Sequence, residues 1–249
     1  MEEIKNCEVS RDDLCDRTKV VWIPWPSNYP ALPIGRFHFD NDSKKIKYFG
    51  RDGLADLLTK VTKLGTFQNG KGALQIYIHG EMGIGKSHMM CAIAYHLMKE
   101  GKPVVFLADT RILIRDPFGY LQDALLLAFS DNPIIRAKLE NIDRSQEALW
   151  KICDGINKNG VKIWFFLDQL NSFEADLRSS EDVRKSVRSW IDGVTCRHYL
   201  VMSSTGNYEM AHSARWTAEN VEKVYMWGGL TDVGSMAPFP ISCFSLNAP

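Results

Sequence analysis

The 249-residue sequence has no excess of either charge, with 30 Lys and Arg set against 30 Asp and Glu. Strong sequence-independent binding to nucleic acid needs a basic face, so this balance argues against it and leaves only a local patch such as Lys44, Lys45, Lys47 and Arg51, which by default is a solvated face. No apolar run of about 18 residues or more occurs, so no membrane span is expected. The first residues, Met1-Glu2-Glu3-Ile4-Lys5-Asn6, lack the apolar stretch of a secretory signal. The six cysteines are scattered, with no C-x-x-C pair and no clustered histidines. That argues against a zinc site or a disulfide framework and for reduced thiols. Internal repeats and low-complexity tracts are missing as well. These absences describe a soluble intracellular protein, cytoplasmic or nuclear, and the 45% hydrophobic and 24% charged content is enough for a full core.

What is present is concentrated in Ala73–Gly101 (ALQIYIHGEMGIGKSHMMCAIAYHLMKEG). Leu74, Ile76 and Ile78 alternate with Gln75 and Tyr77 as in a strand, and Met90, Ile93, Leu97 and Met98 recur at helical spacing. Between them Gly80-Glu81-Met82-Gly83-Ile84-Gly85-Lys86-Ser87 is G-x-x-x-x-G-K-[ST], the P-loop, in the strand–loop–helix context its mechanics require. Glycines let successive amides turn inward around phosphate oxygens at the positive end of the new helix. Lys86 can then reach the β- and γ-phosphates, and the Ser87 hydroxyl can ligate Mg²⁺. Chance produces such an octapeptide in roughly one per cent of chains of this length.

A P-loop needs a metal partner. Ile163-Trp164-Phe165-Phe166-Leu167-Asp168 is an apolar strand ending in a carboxylate, the Walker B pattern, so Asp168 is expected to hold Mg²⁺ directly or through water beside Ser87. Gln169 follows where many P-loop ATPases have Glu. Its amide can orient water but cannot accept a proton at neutral pH, so hydrolysis is expected to be weak or absent. The polar strand end Ser203-Ser204-Thr205-Gly206-Asn207 is a candidate γ-phosphate sensor through Thr205 or Asn207, or a plain turn. Arg184, Arg188, Arg197 and Arg215 are conceivable arginine fingers or surface charges, Asp109 reads as a turn residue, and His79 as a strand-end neighbour.

Alternating strands and helices predict a three-layer α/β domain with a parallel sheet and ligands at the strand C-terminal ends. Residues 1–45 read as an N-terminal arm. Within it Val20–Gly35, with Pro24, Pro26, Pro30 and Pro33, is expected to be extended and irregular, its Trp22 and Trp25 packed on the core. Residues 46–231 read as the nucleotide domain. It opens with a turn at Phe49-Gly50-Arg51-Asp52 and a helix through Leu54, Leu57, Leu58 and Val61. Further strands are expected in Lys102–Thr110, Val161–Phe173, Tyr199–Thr205 and Val221–Trp227, with helices in Phe118–Phe129, Ile134–Ile142 and Glu147–Asn157. A last helix, capped by Ser179 or Ser180 and running to Ile191, should bury Val183, Val187, Trp190 and Ile191. Residues 232–249 read as an irregular or truncated tail.

Phe49-Gly50-Arg51 with its helix, then GEMGIGKS, FFLDQ and a polar-ended strand, resembles the AAA+/STAND group of P-loop ATPases. That resemblance implies a sheet order 5-1-4-3-2, with an extra strand between the P-loop and Walker B strands. It implies that Phe49, Gly50 and Arg51 border the base, and that Gly80, Glu81, Met82, Gly83, Ile84, Gly85, Lys86, Ser87 and the adjoining His88 surround the phosphates. Ser87 and Asp168 would then hold the metal, and Lys86, Asp168, Gln169 and Asn207 would carry the chemistry. Asp168-Gln169-Leu170-Asn171 and Gly228-Gly229-Leu230 are similar to the ATPase module of Crinkler-type effectors. The sequence departs from that family in showing no ubiquitin-like header and no nuclease or kinase-like module, and from AAA+ proteins in showing no helical lid. The expectation is an ATP–Mg²⁺-binding switch or slow ATPase with an unidentified protein partner or a second copy of itself. A non-hydrolysing module using ATP as a structural ligand, or a small-molecule kinase, is the alternative.

Overall fold

In the computed structural model of the chain, residues 1–28, 35–40, 42–64, 74–170, 181–204 and 221–226 are described. In chain order they form helices α1 (Glu2–Lys5) and α2 (Arg11–Cys15), strands β1 (Val20–Pro24), β2 (Phe39–Asp40) and β3 (Lys45–Phe49), and helix α3 (Asp52–Thr62). Strand β4 (Gln75–Gly80), helix α4 (Lys86–Lys99) and strand β5 (Val104–Leu107) follow. Helices α5 (Thr110–Arg115), α6 (Pro117–Ala128), α7 (Pro133–Glu140) and α8 (Gln146–Lys158) lead to β6 (Trp164–Leu167). Helix α9 (Glu181–Thr195) and strands β7 (Tyr199–Ser203) and β8 (Val221–Met226) complete the described chain.

Strands β4 to β8 form one sheet in the order β5-β6-β7-β4-β8, every pair parallel. Numbered along the chain this is 5-1-4-3-2, the order implied by the resemblance. A parallel sheet must be covered on both faces, which is why its strands read as apolar runs. Ile76, Ile78, Val104, Phe106, Trp164, Phe166 and Val201 face α3 and α4. Tyr77, Val105, Leu107, Phe165, Leu200 and Met202 face the layer of α5, α6, α8 and α9. The expected strands and helices are present within the described residues. Val183 and Trp190 differ: Val183 is 39% exposed and Trp190 half-buried, while Val187 and Ile191 are buried.

The N-terminal residues are more ordered than their composition suggests. Val20–Pro24 is a regular strand, not an irregular one. It pairs antiparallel with β3 from Val20↔Phe49 to Pro24↔Lys45, and β2 flanks β3 on its other side. Pro24, which has no amide hydrogen, stands at the end of its strand, where that loss is tolerated. Ser10 and Asp13 close a capping box that starts α2, too short a helix to show periodicity in sequence. Trp25 is buried, with edge contacts to Phe37, Phe39 and Phe106 at centroid distances of 5.0, 5.1 and 5.4 Å, whereas Trp22 is 39% exposed.

This layer covers α4. A helix apolar on every side must be buried on every side, and from Met89 to Met98 only His96 is not fully buried. Sheet strands β4 and β5 pack on one side of α4, and α1, α3 and β1 on the others. The Val9 carbonyl accepts hydrogen bonds from Tyr95 Oη (3.2 Å) and Lys99 Nζ (2.9 Å). Ile4, Leu14, Ile23, Trp25 and Phe37 therefore belong to the same apolar cluster as α4. Leu14 is 1% exposed in that cluster, so Leu14→Ala is expected to lower unfolding stability by about 2–5 kcal/mol. Urea titration of the two proteins checks this, and a loss within about 0.5 kcal/mol, typical of an exposed arm, would count against the shared core.

Candidate functional site

The C-terminal ends of β4, β6 and β7 converge. Strand β7 lies between the other two, with Ile78 opposite Ser203 and Leu167 opposite Met202. Asp168 leaves the end of β6, and the P-loop leaves the end of β4. Together with Arg36 they line a cavity of about 380 Å³ whose wall also includes Met82, Gly83, Gly85, Lys86, Ser87, His88, Gln169, Ser203 and Ser204.

The loop's shape depends on its glycines. Gly80, Gly83 and Gly85 have φ of +151°, +84° and +88°, values that L side chains rarely adopt. A Cβ on Gly80 would lie 2.4 Å from the Met226 carbonyl oxygen and 2.7 Å from Ile84 Cδ1; one on Gly83 would meet nothing within 4 Å. Ile84 is buried and anchors the loop, while Met82 is 83% exposed at its tip. Lys86 Nζ donates to the carbonyls of Gly80 (2.8 Å) and Glu81 (2.6 Å), tying the start of α4 back across the loop. Helices α2, α5, α6, α7 and α8 have side-chain caps, but α4 begins at left-handed Gly85 with none. Helices α1 and α3 also lack such a cap, but only the start of α4, at Gly85, Lys86 and Ser87, lines this cavity, where an uncapped helix N-terminus suits an anion.

Asp168 is 1% exposed. One carboxylate oxygen accepts from the Ser203 hydroxyl, and the other from Arg36 Nη1 at 3.0 Å. Burial pushes this carboxyl above the usual range; the Arg36 charge opposes that rise, as do hydrogen bonds from Ser203 and Ser87. Burial lowers Lys86, and the Asp168 charge works the other way. His88 is held down to about 4, first by burial and then by the charges of Arg51 and Arg36, so it is neutral near pH 7. Gln169 has φ +63°, a strained conformation for a residue with a side chain. Its amide donates to Ser203 Oγ (3.4 Å) and its carbonyl accepts from Thr110 Oγ1 (2.7 Å), which hold that turn at the cavity wall.

The Phe49–Arg51 segment joins the N-terminal layer to the loop. A Cβ on Gly50 would be 1.9 Å from the Asp16 carbonyl oxygen, so Gly50 is sealed against the end of α2. Phe49 pairs with Val20 inside the small sheet, and Lys47 Nζ lies 5.4 Å from its ring centroid. Only Arg51 reaches the loop: its Nη1 donates to the Ile84 carbonyl at 2.6 Å and its guanidinium covers Gly85. Asp109 caps α5 and forms a paired contact with Arg111 (2.9 and 2.6 Å), consistent with a turn residue. His79 stacks on Tyr77 at 5.5 Å, beside the loop. Thr205, Asn207 and Arg215 lie outside the described residues. Ser203, Ser204 and Arg36 were not singled out from the sequence. The polar end of β7 carried a signal for the two serines; for Arg36, distant in sequence and in a proline-rich stretch, there was none.

These residues fit a polyphosphate and its metal. Among the described residues no group of three or more His, Cys, Asp or Glu converges on a metal. Mg²⁺ in phosphate sites takes only one or two protein oxygens, with phosphate and water completing the shell, and Ser87 and Asp168 supply that number.

The model of the family described as type III restriction enzyme, res subunit (ResIII), matches residues 44–159, from β3 through the P-loop to the end of α8. No curated protein matches the chain. Among solved structures it is similar to the Aeropyrum pernix ORC2 protein (ADPNP–ADP complexes), with TM-score 0.43 and 16% identity over 71% of this chain and 47% of that one. It is also similar to C. elegans PCH-2, with TM-score 0.36 and 15% identity over 76% and 45% of the two chains. A third likeness is to the E. coli MS115-1 HORMA:CdnC:Trip13 complex, with TM-score 0.34 and 12% identity over 87% and 71%. The chain thus spans less than half the length of the first two. Its strand order and glycine loop give it a P-loop NTPase-like α/β fold. Among the described residues no helix is long and apolar enough to cross a membrane.

The glycine geometry is directly testable. Gly83→Ala, with open space above it, should cost about 1–2 kcal/mol for the left-handed backbone alone. Gly80→Ala, meeting backbone and Ile84, should cost at least about 2 kcal/mol more. Equal midpoints in chemical denaturation would contradict this loop conformation.

Proposed function

We propose that the chain binds ATP with Mg²⁺ and acts as a nucleotide-dependent switch or slow ATPase, related to Crinkler-type ATPase modules. The observation that carries this reading is the meeting of Lys86, Ser87, Asp168 and Gln169, delivered by two separate strands, in one cavity. Lys86 and the uncapped amides of α4 neutralise phosphate charge. Ser87 and Asp168 hold the metal, which when bound supplies charge neutralisation at the phosphoryl oxygens. Arg51 supports the loop from behind through Ile84 and Gly85. Gln169, fixed in its left-handed turn, orients water but takes no proton, so turnover is slow.

The same residue favours a second reading. With an amide where a proton acceptor would stand, ATP can serve as a structural ligand that stabilises the domain by mass action without being hydrolysed.

Single-turnover hydrolysis of ATP–Mg²⁺ by the full chain separates the two. The switch reading expects slow phosphate release that disappears in Lys86→Ala and rises about tenfold or more in Gln169→Glu. ATP retained with no phosphate released, and no gain in Gln169→Glu, moves the structural-ligand reading ahead. Failure of the wild type to retain ATP overturns both.

A further inference from the structure

The cavity holds a cation that the P-loop and the Asp168 strand do not account for. Arg36 comes from the N-terminal layer, 132 residues away from Asp168 in sequence. Its Nη1 donates to Asp168 Oδ2 at 3.0 Å and its Nη2 to the Ala108 carbonyl at 2.7 Å, so it bridges the ends of β6 and β5. Asp109 Oδ2 is 3.6 Å from Nη2, but that carboxylate already has Arg111 at 2.6 Å. The Arg36 side chain is 19% exposed, and its Nε is buried with no hydrogen-bond partner. A guanidinium at the cavity wall with an unspent donor is incompletely used.

Its present partner is contested. Asp168 Oδ2 accepts from Arg36, while the other oxygen accepts from Ser203. Asp168 and Ser87 are the residues that would hold a divalent cation, whose charge would compete with Arg36 for the Asp168 carboxylate. Like charges repel, so a cation at Asp168 would weaken the hold of that carboxylate on the guanidinium and leave Arg36 available to another anion. The planar fork suits phosphate as well as carboxylate, and can bond it bidentately.

We propose that Arg36 determines preference for a nucleoside triphosphate over a diphosphate, exchanging Asp168 for the terminal phosphate when Mg²⁺–nucleotide enters. The inference rests on the nucleotide-binding reading of the cavity. It also explains how the N-terminal layer can register the nucleotide. Phe37, next in the chain, packs on Trp25 and on His88, with ring centroids 5.0 and 4.7 Å apart, so movement of Arg36 is felt by both the small sheet and α4.

Equilibrium dissociation constants of β,γ-imido-ATP and of ADP, each with Mg²⁺, test this on the full-length wild type, Arg36→Ala, Arg36→Lys and Lys86→Ala. Arg36→Ala is expected to weaken the triphosphate about tenfold or more while ADP stays within about threefold, so the preference collapses. Arg36→Lys, which keeps the charge and loses the fork, should fall between, and it serves as the test if Arg36→Ala does not fold. Lys86→Ala should weaken both nucleotides. A purely structural Arg36 would lower melting temperature and weaken both nucleotides alike; an unchanged triphosphate-to-diphosphate ratio in either Arg36 variant overturns the proposal while leaving nucleotide binding intact. A wild type that retains neither nucleotide overturns the function and this inference together.

Discussion

A carboxylate with 1% exposure sets the terms for this molecule. Leaving Asp168 charged and unpaired in the sheet's interior would be strongly destabilising, so the surrounding structure has to supply partners. It does so from four places: Ser203 at the end of β7, Ser87 at the start of α4, Arg36 from the N-terminal layer, and the charge of Lys86. Ser87 and Lys86 belong to α4 and the other two to different parts of the fold, so satisfying one side chain ties the sheet, the P-loop helix and the N-terminal residues together.

The N-terminal layer follows from a second constraint. Helix α4 is apolar on every side from Met89 to Met98, and the sheet can cover only part of it. The antiparallel pairing of β1 with β3, the two short helices and the Trp25–Phe37–Phe39 cluster supply the missing cover. Gly50 shows how closely this cover fits, since its backbone sits where any side chain would strike the Asp16 carbonyl. The loop is thus carried by a helix buried on all sides.

Of the described non-glycine residues with positive φ, Lys44, Gln169 and Arg197, only Gln169 lies at the candidate site. Gln169 takes a left-handed backbone directly after Asp168, held by Ser203 and Thr110, although a glycine would adopt it without strain. Keeping a glutamine there sets an amide against the cavity wall next to the carboxylate. The loop glycines show the complementary case, in which the conformation needed is one that only glycine accepts cheaply.

What the sequence by itself determined was everything encoded by local spacing. The P-loop, the strand ending in Asp168, the anomaly of Gln169, the five parallel strands and most of the helices are legible because their physics spans one strand, one loop or one helical turn. The order 5-1-4-3-2 was legible through the resemblance those motifs carry. Tertiary structure alone decided the rest. The pairing of Val20–Pro24 with Lys45–Phe49 depends on cross-strand partners that composition does not reveal, and prolines nearby argued for irregularity. Val183 fits the buried stripe of α9 by spacing, yet it is 39% exposed. Arg36 reaches Asp168 across 132 residues, and Phe49 and Gly50 turn into the N-terminal layer while Arg51 alone meets the loop. Contacts between residues far apart in sequence leave no periodicity and no motif, because only the packing of whole layers brings the partners together.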